Sequence, residues 1–78
     1  MNTRYAITHV NADNGLRRLT FAQQARDTYE TLDTAIAALI AFRGPHGLPR
    51  VLKPEEVATL RVDAVECYDH GDPVRYYL

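Results

Sequence analysis

Thr31-Leu32-Asp33-Thr34-Ala35-Ile36-Ala37-Ala38-Leu39-Ile40-Ala41-Phe42-Arg43-Gly44-Pro45 is the stretch that decides the fold of this chain. Leu32, Ala35, Ile36, Leu39, Ile40 and Phe42 or Arg43 recur at the i, i+3, i+4, i+7, i+8 spacing that gives a helix an apolar stripe. Thr31 is placed to cap the N-terminus. Asp33 falls in the first turn, where the positive end of the helix dipole favours an acid. Gly44 accepts the left-handed conformation that ends a helix, and Pro45 cannot continue one. The segments on either side alternate with the period of two that marks strands, so one helix packs on a small sheet.

Working outward, Arg4 to Val10 reads as a strand with Tyr5, Ile7 and His9 on one side and Ala6, Thr8 and Val10 on the other. Asn11-Ala12-Asp13-Asn14-Gly15 supplies the residues of a hairpin turn, and Leu16 to Gln23 is the returning strand. Gln24 to Glu30 is polar and unpatterned, an irregular or edge segment ending at Tyr29. His46 to Arg50 is a Gly/Pro-rich connection. Pro54-Glu55-Glu56-Val57 has the Pro and acids that open a single helical turn. Leu60 to Tyr68 is the next strand, and its alternation slips by one residue in the way a β-bulge near Ala64-Val65 would produce. Asp69 to Pro73 is a turn, and Val74 to Leu78 a final strand. The expected fold is α+β: a small antiparallel sheet of three to four strands (β-β-α-β-β) packed against one main helix through Leu32, Ile36, Leu39 and Ile40. Residues 1–78 form a single domain.

Seventy-eight residues bury only about 60% of the unfolded surface, so stability is expected to be marginal without a staple or a partner. The 46% hydrophobic and 24% charged composition is that of a folded domain rather than a disordered chain. A single cysteine, Cys67, allows no internal disulfide, which favours a reducing cytoplasm. No apolar run approaches the roughly 20 residues of a membrane span, and no signal peptide is expected behind Met1-Asn2-Thr3-Arg4-Tyr5. A net charge of −1 argues against a dedicated nucleic-acid binder, whose affinity rests on phosphate neutralisation. The charge is uneven: residues 1–52 are net basic and residues 53–78 net acidic, so neighbouring chains or the two halves of one chain could pair.

Three sets of residues carry candidate chemistry. Cys67, His70 and Asp72 have a Cys-x-x-His spacing with a following acid that could supply metal or ligand contacts. A structural zinc wants four ligands, so His9 or His46 would have to complete it, and a buried strand cysteine beside a turn explains the same residues. A Cys–His nucleophile pair needs a neighbouring histidine and an orienting acid, and none of the three histidines stands in a context that suggests it. Arg17, Arg18 and Arg26 could grip phosphate, although on a strand Arg17 and Arg18 face opposite sides and equally well keep an edge charged. Tyr68, Tyr76 and Tyr77 suit an interface, because the tyrosine ring is apolar and its hydroxyl stays wet. With Arg17 and Arg18 they form the expected interaction surface.

Thr28-Tyr29-Glu30-Thr31 before the helix, and Val65-Glu66-Cys67-Tyr68 with Asp72-Pro73 before an aromatic-ended strand, resemble a group of short bacterial α+β proteins with no assigned activity. In that group the turn after the Cys-aromatic pair reads Pro-Gly-His, where this chain has Asp69-His70-Gly71. The resemblance implies the fold and no reaction. Together these readings lead to the expectation of a small, non-enzymatic cytoplasmic protein-interaction module with no cofactor, homodimeric through the sheet face that one helix leaves uncovered. A nucleic-acid accessory using Arg17, Arg18 and Arg26 is the alternative, and a ligand or metal binder around Cys67, His70 and Asp72 a further one.

Overall fold

The computed structural model describes residues 1–20, 28–42, 52–75 and 78. It is a small α+β domain: a four-stranded antiparallel sheet with one main helix packed against it. The elements run β1 (Asn2–Val10), β2 (Arg17–Leu19), β3 (Thr28–Tyr29), α1 (Leu32–Phe42), α2 (Pro54–Val57) and β4 (Arg61–Cys67).

The longest strand, β1, is the spine of the sheet. Its C-terminal half pairs with β2 through Thr8↔Leu19, His9↔Arg18 and Val10↔Arg17, and Tyr5↔Tyr29 and Ala6↔Thr28 join it to β3 on the same edge. Its other edge pairs with β4 along seven positions, from Asn2↔Cys67 to Thr8↔Arg61. Both β3 and β4 run antiparallel to β1, so they are parallel to each other, and α1 lies in the crossover that joins them. The expected hairpin is present. Asn11 and Leu16 close a four-residue loop, the Gly15 N–H donates to the Asn11 carbonyl at 2.8 Å, and Gly15 adopts φ 71, where a side chain would be strained. The Asn11 side chain accepts from the Asp13 and Asn14 amides at 2.8 and 3.2 Å and so fixes the turn.

Three expectations are corrected. Of the expected returning strand the described part is Arg17–Leu19, with the Thr20 amide still bonded to the Ile7 carbonyl at 2.8 Å, and residues 21–23 lie outside the described residues. The fourth described strand is Thr28–Tyr29, from the stretch read as irregular or edge. Arg4 pins it, donating from Nε to Thr28 Oγ1 at 2.7 Å and from its guanidinium to the Thr28 carbonyl at 3.1 Å. No bulge interrupts β4, whose register is continuous. The slipped alternation arises because Arg61 and Asp63 share a face with Val65 and Cys67, and Asp63 is tolerated there because Thr8 and Arg61 hydrogen-bond it. At the C-terminal end, Pro73 bridges Cys67, and of the expected last strand the Val74 amide donates to the Glu66 carbonyl at 3.0 Å and the Leu78 amide to the Arg17 carbonyl at 3.2 Å, with no strand among its described residues. Tyr76 and Tyr77, the Gly44-Pro45 helix stop and Phe21 fall outside the described residues.

Ala6, Leu19, Val65 and Cys67 form the buried apolar cluster, all on one face of the sheet by register. Ala64 and Glu66, on the opposite face of β4, are exposed, so the layer that covers β4 lies over the cluster. That layer is α1, which packs on β1, β3 and β4. Its N-terminus is capped as the sequence indicates: Thr31 Oγ1 accepts the Thr34 amide at 3.2 Å. Its rotation differs from expectation. Ala35 is wholly buried and Ala38 and Leu39 half-buried, whereas Leu32, Ile36 and Ile40 are 47%, 41% and 69% exposed. A helix apolar on nearly every side offers several stripes, and small residues in both layers let the backbones approach with the bulkier side chains left outside.

Candidate functional site

Two places gather side chains beyond what the core needs. The first is the corner where the β1–β2 hairpin meets α2. His9, near the end of β1, projects to the face opposite the apolar cluster and is buried there. Its Nδ1 lies 2.7 Å from Thr20 Oγ1, and its Nε2 3.8 Å from Glu56 Oε2. Glu56 is buried too, since it occupies the third position of α2 and turns back on itself. One carboxylate oxygen accepts the Lys53 amide at 2.9 Å, the other the Ala12 amide at 3.1 Å. The Glu56 carboxylate thereby caps α2 and ties it to the hairpin loop. Lys53 Nζ reaches Asp13 across the same junction at 2.7 Å. A cleft of about 290 Å³ opens between His9, Arg18, Leu52 and Glu56.

The electrostatics of this corner favour one protonation state. The amides of Lys53 and Ala12 hold the Glu56 carboxyl below its ordinary range, against the opposing effect of burial. Burial pushes His9 below its ordinary value of 6.5; Glu56 opposes this, and Arg18 and Arg17 add to it. The corner at neutral pH is therefore an uncharged imidazole beside a carboxylate. Each Glu56 oxygen is already held by a backbone amide, so the group works as a clamp rather than as a free acid or base.

The second place is the outer surface of α1. Leu32, Ile36 and Ile40 stand four residues apart and make one continuous ridge, flanked by exposed Ala37 and Ala41. From Thr34 to Phe42 the helix carries no charged residue.

Among the described residues, those singled out from the sequence lie in separate places. Register sends Arg17 and Arg18 to opposite faces. The Arg17 guanidinium is held inside the fold by Thr8 Oγ1 and the Thr59 carbonyl, both at 3.0 Å. Arg26 and His46 lie outside the described residues. Cys67 is fully buried in the apolar cluster, while His70 and Asp72 sit on the exposed turn beyond it, 3.3 Å apart, with the His70 ring stacked on Tyr68. Among the described residues no three His, Cys, Asp or Glu side chains gather in a way that could hold a metal ion. Tyr68 is 43% exposed. The sequence reading missed the Glu56 clamp, although a Glu three residues after Lys53 was its visible trace. It also missed that the α1 ridge faces outward. No family model, curated protein or solved structure matches this chain. No helix among the described residues is long and apolar enough to cross a membrane.

Proposed function

We propose that this chain is a small, non-enzymatic protein-interaction module of the cytoplasm whose docking surface is the outer face of α1. One observation carries the reading: Leu32, Ile36 and Ile40 form an exposed apolar ridge on a helix with no charge beyond its first turn. Single exposed apolar residues are ordinary, but a contiguous row on a rigid element marks an interaction site. The other face of the sheet is a weaker candidate, because Ile7, His9 and Thr20 are buried there and Thr3, Ala64 and Glu66 reach solvent. The single cysteine, Cys67, which leaves the chain without an internal disulfide, supports the cytoplasmic location. Against a catalytic role, the His9–Glu56–Thr20 group is buried and Glu56 is committed to backbone amides.

The test is a photoreactive residue placed at position 36 and activated in cells. A discrete protein adduct that disappears when Ile40→Asp is added supports the docking surface. A chain that forms no adduct while remaining folded removes it.

A further inference from the structure

The chain has three asparagines, Asn2, Asn11 and Asn14, and only Asn14 precedes a glycine. The backbone nitrogen of a following residue can attack an asparagine side chain, because the two are tethered and close a five-membered ring. A side chain on that following residue crowds the approach, and glycine carries none. The sequence therefore names Asn14 as the reactive position, and the geometry of the β1–β2 loop decides whether the attack is open to it.

The structure sorts the three. Asn2 sits in β1 opposite Cys67 and is followed by the β-branched Thr3. Asn11 is committed: its Oδ1 accepts the Asp13 and Asn14 amides, and the nitrogen that would attack it, that of Ala12, donates to Glu56 at 3.1 Å. Asn14 and Gly15 are both exposed, and nothing lies within 4 Å of the place where a Cβ on Gly15 would stand. Asn14 Oδ1 also accepts the Leu16 amide at 3.0 Å. That donor is aimed at the oxygen that takes up negative charge when Asn14 Cγ is attacked, as in an oxyanion hole. One bond opposes the reaction. The Gly15 N–H donates to the Asn11 carbonyl at 2.8 Å, and its nitrogen is free to attack only when that bond opens. The bond closes an exposed loop rather than a sheet ladder, and such bonds open locally at low cost.

From these features we infer that Asn14 is a site of spontaneous covalent modification, losing ammonia through a cyclic imide with Gly15, and that the turn bond from Gly15 to Asn11 gates the reaction. Hydroxide removes the Gly15 amide proton, the nitrogen bonds to Asn14 Cγ, and the Cγ–Nδ2 bond breaks. The departing Nδ2 takes a proton from water, which restores the hydroxide and releases ammonia. A second water then opens the imide. Cleavage between the nitrogen and Cγ leaves an aspartate on the ordinary main chain. Cleavage at the Asn14 main-chain carbonyl leaves an isoaspartate, whose main chain runs through Cβ and Cγ. Either product places a new carboxylate beside Asp13, which is paired with Lys53 Nζ at 2.7 Å. The isoaspartate also lengthens the loop that Asn11 and Leu16 close, and Ala12 joins that loop directly to the buried Glu56.

The purified, folded chain is incubated in mildly alkaline buffer and mapped by tandem mass spectrometry, with the urea-unfolded chain alongside. Asn14 is expected to exchange its amide for a carboxyl group while Asn2 and Asn11 keep theirs, and an isoaspartate-specific methyltransferase should label part of the product. Loss at Asn11 as fast as at Asn14 overturns the assignment. So does an Asn14 that keeps its amide in the folded chain while the unfolded chain loses it. The gate has its own test. Asn11→Ala removes the acceptor of the Asp13 and Asn14 amides and should speed the loss at Asn14 about fivefold, the worth of one net hydrogen bond. An unchanged rate in the folded variant overturns the gate. Hydrogen exchange at the Gly15 amide reads the same opening with no variant. Exchange well ahead of global unfolding supports the gate, and protection up to global unfolding overturns it.

Discussion

The corner around His9 and the outer face of α1 are opposites. Around the end of β1, polar side chains are buried: His9, Thr20 and Glu56 at the corner, and Thr8 on the opposite face of the strand, are all among the least exposed residues of the described chain. On the helix, apolar side chains are exposed: Leu32, Ile36 and Ile40 face solvent. The contrast teaches that burial here follows available partners more than hydrophobicity. Thr8 Oγ1 donates to Asp63 at 2.6 Å and accepts from Arg17, and Glu56 accepts two backbone amides, so these groups leave water without losing hydrogen bonds. The ridge had no such requirement. It stayed outside because Ala35 was the residue that fitted closest to the sheet.

The largest effect that would break this contrast is expected at the corner. Glu56→Ala leaves the Ala12 and Lys53 amides without their acceptor and should cost about 2–4 kcal/mol, a large share of a small domain's stability. Urea unfolding measures it, and an unchanged midpoint would show that water replaces the carboxylate freely. Acid should attack the same corner without any substitution. The folded state resists protonation of His9, whose pKa is lowered, so the unfolded chain binds more protons and stability declines as pH falls below about 6.5. Glu56 is also held below its ordinary range. For Asp63, burial acts upward but is outweighed by the hydrogen bonds from Arg61 and Thr8 and the nearby Arg17 charge, leaving its pKa lowered. Their contribution is present above the ordinary carboxylate pKa and disappears as pH drops through the folded values, steepening the loss. Urea midpoints at a series of pH values should show both phases, and His9→Gln should flatten only the upper one.

Next in size is Thr8→Val, which keeps the shape but removes the hydroxyl between Asp63 and Arg17; about 1–3 kcal/mol is expected from the same unfolding experiment. The smallest effect on stability sharpens the other side of the comparison. Ile40→Gln should change folding by less than about 0.5 kcal/mol, since the residue is 69% exposed, and yet abolish the position-36 adduct. A strong destabilisation by Ile40→Gln would place that side chain in the core and remove the contrast.

The amino-acid sequence by itself determined the local elements. Thr31 as a cap, Asn11 to Gly15 as a turn, and Pro54-Glu55-Glu56-Val57 as a helical turn are written in residues whose hydrogen bonds close within a few positions. The α+β class followed from counting one helix among alternating segments. What only the tertiary structure decided is the set of contacts between distant positions. Strand β3 is two residues long, too short for any period to register, and exists because Ala6 and Tyr5 offer an edge for it. The pairing of Glu56 with the Ala12 amide spans 44 residues, and no spacing rule reaches that far. The rotation of α1 is the clearest case. A stripe of Leu32, Ile36 and Ile40 and a stripe through Ala35, Ala38 and Leu39 are both helical in period, and the sheet chose between them by shape. Periodicity fixes that a helix forms. Which side it buries depends on how closely two surfaces fit, and only packing supplies that.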